Sequence, residues 1–392
     1  MPKKSTPPAA STRQTLFGEE EIAAPAPSKG GRHAAASQDL ETSPAAAVLP
    51  PDLGPDATAE EWAALCAAAQ RLRAATPWER AYEDQCFAVE NPETGDFGVV
   101  SLMGRQGEHL ALALYLGAEG FNGFRAMHEL ESELIDPAMV FETPQLQVSF
   151  EDREGLNPRD REILKKAGLK PRGAQAWPRF REYRAGWADW HPSGAQVRFL
   201  GVAINATLSL GARLRQLKGR SHAKGGWAGS LLLLRRTADG WAEDAVTVPR
   251  AAEINIPVPL DEVALARLRA LPLKGEVEAD LLLLPTPILN LARPYYPYML
   301  LLCDAHSRLG MGMEMLSPPE LGGMEALLAA TAPVLLKQLT AQNLRPRKLF
   351  ARSGRAARLF APLAQALGSA LVESDELPVV DEMREIVFMR MM

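Results

Sequence analysis

Cysteine is scarce in this chain: Cys66, Cys86 and Cys303 are the whole set among 392 residues, and no two form a CxxC pair. That excludes a disulfide framework and a thiolate zinc centre, and it fits a reducing compartment. Histidine is nearly as sparse, with six residues scattered from His33 to His306 at no ligand spacing. Cys303, Asp304 and His306 do not make a ligand set either, because neighbours on a strand point to opposite faces. There is no GxxxxGK[ST] phosphate loop and no GxSxG nucleophile elbow, which removes the commonest routes to nucleotide hydrolysis and serine esterase chemistry. No apolar run is long enough to span a bilayer. Met1–Ser11 carries two lysines with no apolar core behind them, so it does not read as a secretion signal. Excess positive charge is missing too. A net charge of −5 leaves room for local basic patches and no more. The expectation is a soluble cytoplasmic protein without membrane association.

What is present suits two domains and a tail. Apolar residues make up 47% and charged residues 23%, enough for a core in a chain of this length. Residues 1–56 are rich in Pro, Ala and Ser and read as a disordered tail. Gln14, Leu16 and Phe17 form an apolar island there. A Gln followed closely by Leu-Phe is similar to the short peptides that dock on DNA sliding clamps, although the spacing is one residue shorter than the bacterial pattern. A simple hydrophobic island is the alternative.

Residues 57–223 read as an N-terminal α+β domain. A helix carrying Trp62, Leu65 and Leu72 opens it, and a meander follows: 86–90, 97–103, 109–116 and 145–150, with Pro and Gly at the reversals. Helices are expected near 157–167, behind Asn157-Pro158, and at 193–217, behind Ser193. Residues 224–293 form a β-rich connecting region that either neighbour can claim, with a hairpin at 230–248, a helix near 260–270 and a strand at 277–284. Residues 294–392 read β-β-α-β-α-β: strands at 298–304 and 310–316, a helix at 322–342 interrupted by Pro333, a strand at 348–351, a helix to Leu367 and a strand at 370–373. The fold class is α+β or α/β, with the C-terminal mixed sheet flanked by helices.

The stretch YMLLLCDAHSRLGMGMEML (298–316) is a buried apolar run closed by Asp304, followed by a partner strand with alternating Met311, Met313 and Met315. Together with Leu344-Arg345-Pro346-Arg347, it resembles an integrase or RNase H-like catalytic core. The resemblance implies a central strand ending in an acid and a second acid after residue 350. Here Phe350-Ala-Arg-Ser-Gly354 has Ala351 and Arg352 where that acid belongs. Two-metal chemistry needs several carboxylates, and one does not build the site. Glu314 is the possible partner of Asp304 if the chain is an enzyme, with Mg²⁺ or Mn²⁺ as its cofactor; otherwise no cofactor and no metal site is expected. Asp304 closing its own turn is the plainer alternative. Residues 104–121, 149–154 and 176–190 look like bacterial two-domain proteins of unknown function, a likeness that covers most of 60–385 and implies no activity.

Two basic stretches remain. Residues 159–190 interleave Arg179, Arg181 and further Arg and Lys with Trp177 and other aromatics, which suits phosphate contact and base stacking. The alternative is a packed Ω-like loop, suggested by Pro178 and Gly186, with its aromatics in the core. Residues 345–358 hold Arg345, Arg347, Lys348, Arg352, Arg355 and Arg358 with no acid among them. The reading is a non-catalytic interaction module whose partner is nucleic acid or another protein. A metal-dependent nuclease or strand-transfer enzyme built on Asp304 is the first alternative, and a protein-binding scaffold the second.

Overall fold

A computed structural model describes residues 54–129, 137–217, 219, 229–250, 256 and 258–391. Gln14, Leu16 and Phe17 lie outside the described residues, as does the rest of the expected tail before residue 54. Among the described residues, no helix is long and apolar enough to cross a membrane.

The first half of the chain builds an eight-stranded sheet in the order β6-β5-β4-β3-β2-β1-β7-β8. Its strands are β1 (Phe87–Glu90), β2 (Phe97–Met103), β3 (Ala111–Leu116), β4 (Gln145–Glu151), β5 (Trp177–Arg184), β6 (Trp187–Trp190), β7 (Leu231–Thr237) and β8 (Gly240–Val246). All neighbours are antiparallel except β1 and β7, which run parallel. Alternation assigns the faces. Val100, Leu102, Leu112, Leu114, Leu146 and Val148 face α1 (Ala59–Ala75) and α5 (Gly194–Leu210). Val99, Ala113 and Tyr115 face α2 (Gly117–Glu129), through Phe121 and Phe124. Thr58 and Glu61 close a capping box that starts α1, and Asn157 with Asp160 does the same for α4 (Pro158–Lys166).

The segment expected as an Ω-like loop is the hairpin β5–β6. Pro178 is tolerated because β6 pairs only with the far end of β5, at Glu182 and Arg184, which leaves Pro178 beside β4 alone.

The second sheet has five strands in the order β11-β10-β9-β12-β13. They are β9 (Glu276–Leu283), β10 (Tyr298–Asp304), β11 (Gly310–Leu316), β12 (Lys348–Arg352) and β13 (Ala370–Ser374). β9, β10 and β11 form an antiparallel meander, and β12 and β13 add to β9 in parallel. One face packs Val277, Ala279, Leu300 and Leu302 under α6 (Glu262–Arg269), α8 (Met324–Ala341) and α9 (Arg355–Leu367). The other packs Leu282, Met299, Leu301 and Cys303 under Val379 and Val380 of α10 (Pro378–Met391), a helix the sequence reading did not anticipate. The connecting region is therefore divided: β7 and β8 join the first sheet, α6 and β9 the second. The strand expected to be central, β10, lies one place off centre, and β9 holds the middle.

Residues 293–298 and α3 (Pro137–Glu142) bring the two sheets together. Ala188 N donates to Pro294 O at 3.0 Å. Arg293, fully buried, forms an ion pair with Glu182 at 2.6 Å and donates to Ala188 O at 3.1 Å. Glu142 accepts from Tyr298 Oη and, through both carboxylate oxygens, from Arg355.

Candidate functional site

Charges buried in a strand are costly unless paired, so they mark where a sheet carries something other than packing. The middle strand β9 reads Glu-Val-Glu-Ala-Asp before it turns wholly apolar. Its Val277 and Ala279 enter the core under α8 and α9, so Glu278 and Asp280 are forced to the α10 face, where both are nearly fully buried. This acid face is the strongest candidate site.

Every oxygen there that has a protein partner is held by the chain's own groups. Glu278 Oε2 accepts from Val379 N at 2.9 Å and Val380 N at 3.0 Å, capping α10 from the neighbouring sheet. Asp280 Oδ2 accepts from Arg352 Nε at 2.6 Å. The same guanidinium donates to Asp381 Oδ1 at 2.5 Å and to Asp375 O at 2.6 Å. Burial pushes the Asp280 carboxyl above its ordinary range, and Arg352 opposes that shift. For Arg352, burial is outweighed by the two carboxylates, which hold the guanidinium firmly charged. A fixed cation thus lies between Asp280 and Asp381.

Asp304 is elsewhere and otherwise engaged. Its Oδ1 accepts from His306 N at 2.9 Å and Ser307 N at 2.6 Å, closing the turn between β10 and β11. The Ser307 amide, foremost, holds its carboxyl below the usual range. Glu314, on β11, pairs with Lys337 of α8 at 3.2 Å. Among the described residues, no three His, Cys, Asp or Glu side chains are grouped to hold a metal ion.

The basic stretch at 345–358 is mostly committed to protein partners. Arg345 donates to Leu367 O, Arg269 O and Leu271 O, closing the ends of α9 and α6. Arg347 and Lys348 pair with Glu276 at 2.5 and 3.2 Å. Arg352 is held as described, and Arg355 by Glu142. Arg358 is exposed on α9, with no partner among the described residues.

The earlier basic stretch is likewise internal. Arg181 is bidentate to Asp160, at 2.7 Å for both bonds, and reaches Asp189 at 2.9 Å; Arg179 reaches Asp189 at 2.8 Å. Trp177 packs, half-buried, on the first core with Arg153 above its ring. His191 sits 3.6 Å from Asp160, and burial, then Arg181, pushes it down to about 4.

Sequence reading missed Glu278, Asp280, Asp381 and Glu142. The acids interrupting an apolar strand at 276–284 were the available signal for the first two. Asp381 and Glu142 reach their partners only through tertiary structure. Two family profiles match the chain: residues 62–229 match one described as Domain of unknown function (DUF7309), and residues 264–388 one described as Domain of unknown function (DUF6930). No curated protein and no solved structure matches it.

Proposed function

We propose that this chain is a non-catalytic interaction protein of the cytoplasm, with a C-terminal sheet that is a degenerate form of the RNase H-like fold. The antiparallel meander running into parallel β12 and β13 supports the fold reading. The three cysteines, all free and buried, are consistent with a reducing compartment. One observation carries the functional reading: Arg352 fills the space between Asp280 and Asp381, where a nuclease of this class would need a divalent cation. A guanidinium neutralises those carboxylates but neither binds nor activates water as a metal does. The test is incubation of the full chain with single- and double-stranded DNA and RNA in Mg²⁺ or Mn²⁺. No cleavage above a buffer blank is expected. Metal-dependent cleavage that Asp280→Asn or Asp304→Asn abolishes would establish the enzyme reading instead.

The partner class favoured is protein, because all but one of the basic groups at 345–358 already have partners within the chain. Arg358 is the observation on the side of nucleic acid. Fluorescence anisotropy with labelled oligonucleotides at low salt separates the two. Salt-sensitive binding that falls in Arg358→Ala would move the assignment to nucleic acid, whereas no binding at any salt supports protein.

A further inference from the structure

β7 turns leucines toward α1 and α5 until its last residues, where the pattern changes. Leu232 and Leu234 pack on the first core, and the next residue on that face is Arg236. Its cross-strand partner is Trp241 of β8, which is half-buried against the same core. Beside this pair, the hairpin and the two helices leave an open groove of about 740 Å³. Arg71 of α1, Asn205 and Leu208 of α5, and Arg236, Thr237 and Trp241 of the hairpin line it, and no carboxylate does.

The two guanidiniums are held differently. Asn205 Nδ2 donates to Gly201 O at 2.8 Å, one turn back in α5, which fixes the amide. Asn205 Oδ1 then accepts from Arg71 Nη2 at 2.7 Å. Arg71 is thus oriented by a neighbouring helix, with its remaining N–H groups without a partner among the described residues. Arg236 is exposed and has no partner among them at all. Other arginines of this region are matched by acids: Arg213 by Glu243, and Arg235 by Glu90 and Asp244. No acid among the described residues matches the two in the groove.

We propose that this groove takes an acidic segment of a partner protein, with an Asp or Glu side chain between Arg71 and Arg236 and an apolar neighbour against Trp241 and Leu208. This deepens the interaction-protein reading and rests on it. The guanidinium fork grips a carboxylate through two parallel N–H···O bonds, and an arginine already oriented loses less freedom in doing so. Arg and Trp are also the side chains that most often anchor protein interfaces. The charge pattern favours a short acidic segment over a nucleic acid. Two arginines match one or two anionic groups, whereas a longer run of phosphates would meet Asp239 at the hairpin turn. Exposed bases would find only Trp241 in the groove to stack on.

The test is an array of octapeptides probed with the full chain. Each member carries one Asp or Glu within three positions of a Leu, Phe or Trp, and each has a counterpart with Asn or Gln in place of the acid. Acidic members should bind at least about tenfold tighter than their amide counterparts, the scale of a charge-assisted pair. Arg236→Ala should abolish that preference with an unchanged circular dichroism spectrum, since the side chain is exposed. Asn205→Ala should weaken the acidic members by less, because it releases Arg71 without removing its charge. An array with no preference for acid over amide would overturn the proposal, and so would a preference that survives Arg236→Ala. Labelled single-stranded DNA that binds the wild type but not Arg236→Ala would overturn it too, by assigning the groove to nucleic acid. None of these results touches the non-catalytic reading, which falls only to the nuclease measurement.

Discussion

Arg352 and Arg181 play the same part on different sheets. Each guanidinium bridges two carboxylates, Asp280 with Asp381 and Asp160 with Asp189. Removing such a cation leaves a buried acid uncompensated, which costs about 3–5 kcal/mol. Arg352→Ala is therefore expected to lose about that much in urea denaturation. Adding Asp280→Asn should recover part of it, because the stranded charge goes as well. If the single variant is as stable as the wild type, Asp280 is not held by Arg352. His191 gives a pH signature. Its folded value of about 4 lies below the ordinary 6.5, so it is neutral in the folded protein and takes up a proton on unfolding. Its contribution is complete above about pH 6.5 and is lost as pH falls towards 4. His191→Gln should flatten the stability profile in that window, relative to wild type, by at most about 3 kcal/mol. Parallel profiles for the two proteins would show that His191 titrates normally.

Elements show where the two sheets depend on one another. Arg293, in the segment before β10, is buried against Glu182 on β5 and Ala188 on β6. Arg293→Met should destabilise the chain by about 3–5 kcal/mol, and the pair Arg293→Met with Glu182→Gln by less than the single change. Calorimetric melts of the three proteins read this directly, and equal melting temperatures for single and double variants would contradict it. Much of this architecture is legible in the sequence. The strands at 97–103 and 145–150, the 298–316 hairpin and the helix through Leu327 and Leu339 all follow from periodicity and turn residues. What was not legible depends on who neighbours whom. β10 is an unbroken apolar run up to Asp304 whereas β9 carries Glu278 and Asp280 before it turns wholly apolar, so the local pattern points to β10 as the central strand and to Asp304 in place of Asp280. The basic residues at 345–358 look free because the acids that hold them come from residues 142, 276, 280 and 381. α10 escaped notice because Asp381, Glu382, Arg384 and Glu385 break up its apolar residues Val379, Val380, Met383, Val387 and Phe388.

At the scale of the molecule, the chain joins two sheets: β1 to β6 of the first lie in one matched profile, and all five strands of the second lie in the other. Its buried charged groups are spent internally: the acid face of the second sheet on Arg352 and the start of α10, and the basic stretches, Arg358 apart, on neighbouring acids and carbonyls. Met313 and Met315 stay exposed on β11. The proposed non-catalytic reading rests on the cation position that Arg352 occupies between Asp280 and Asp381. Calorimetric melting of the full chain with and without Mn²⁺ tests this most directly. A ligand bound to the folded state at a hundred times its dissociation constant raises stability by about 2.7 kcal/mol, a plainly visible shift. The account predicts the same melting temperature in both conditions. A rise with Mn²⁺ that disappears in Asp280→Asn would contradict it, because the metal would then hold the place assigned to Arg352.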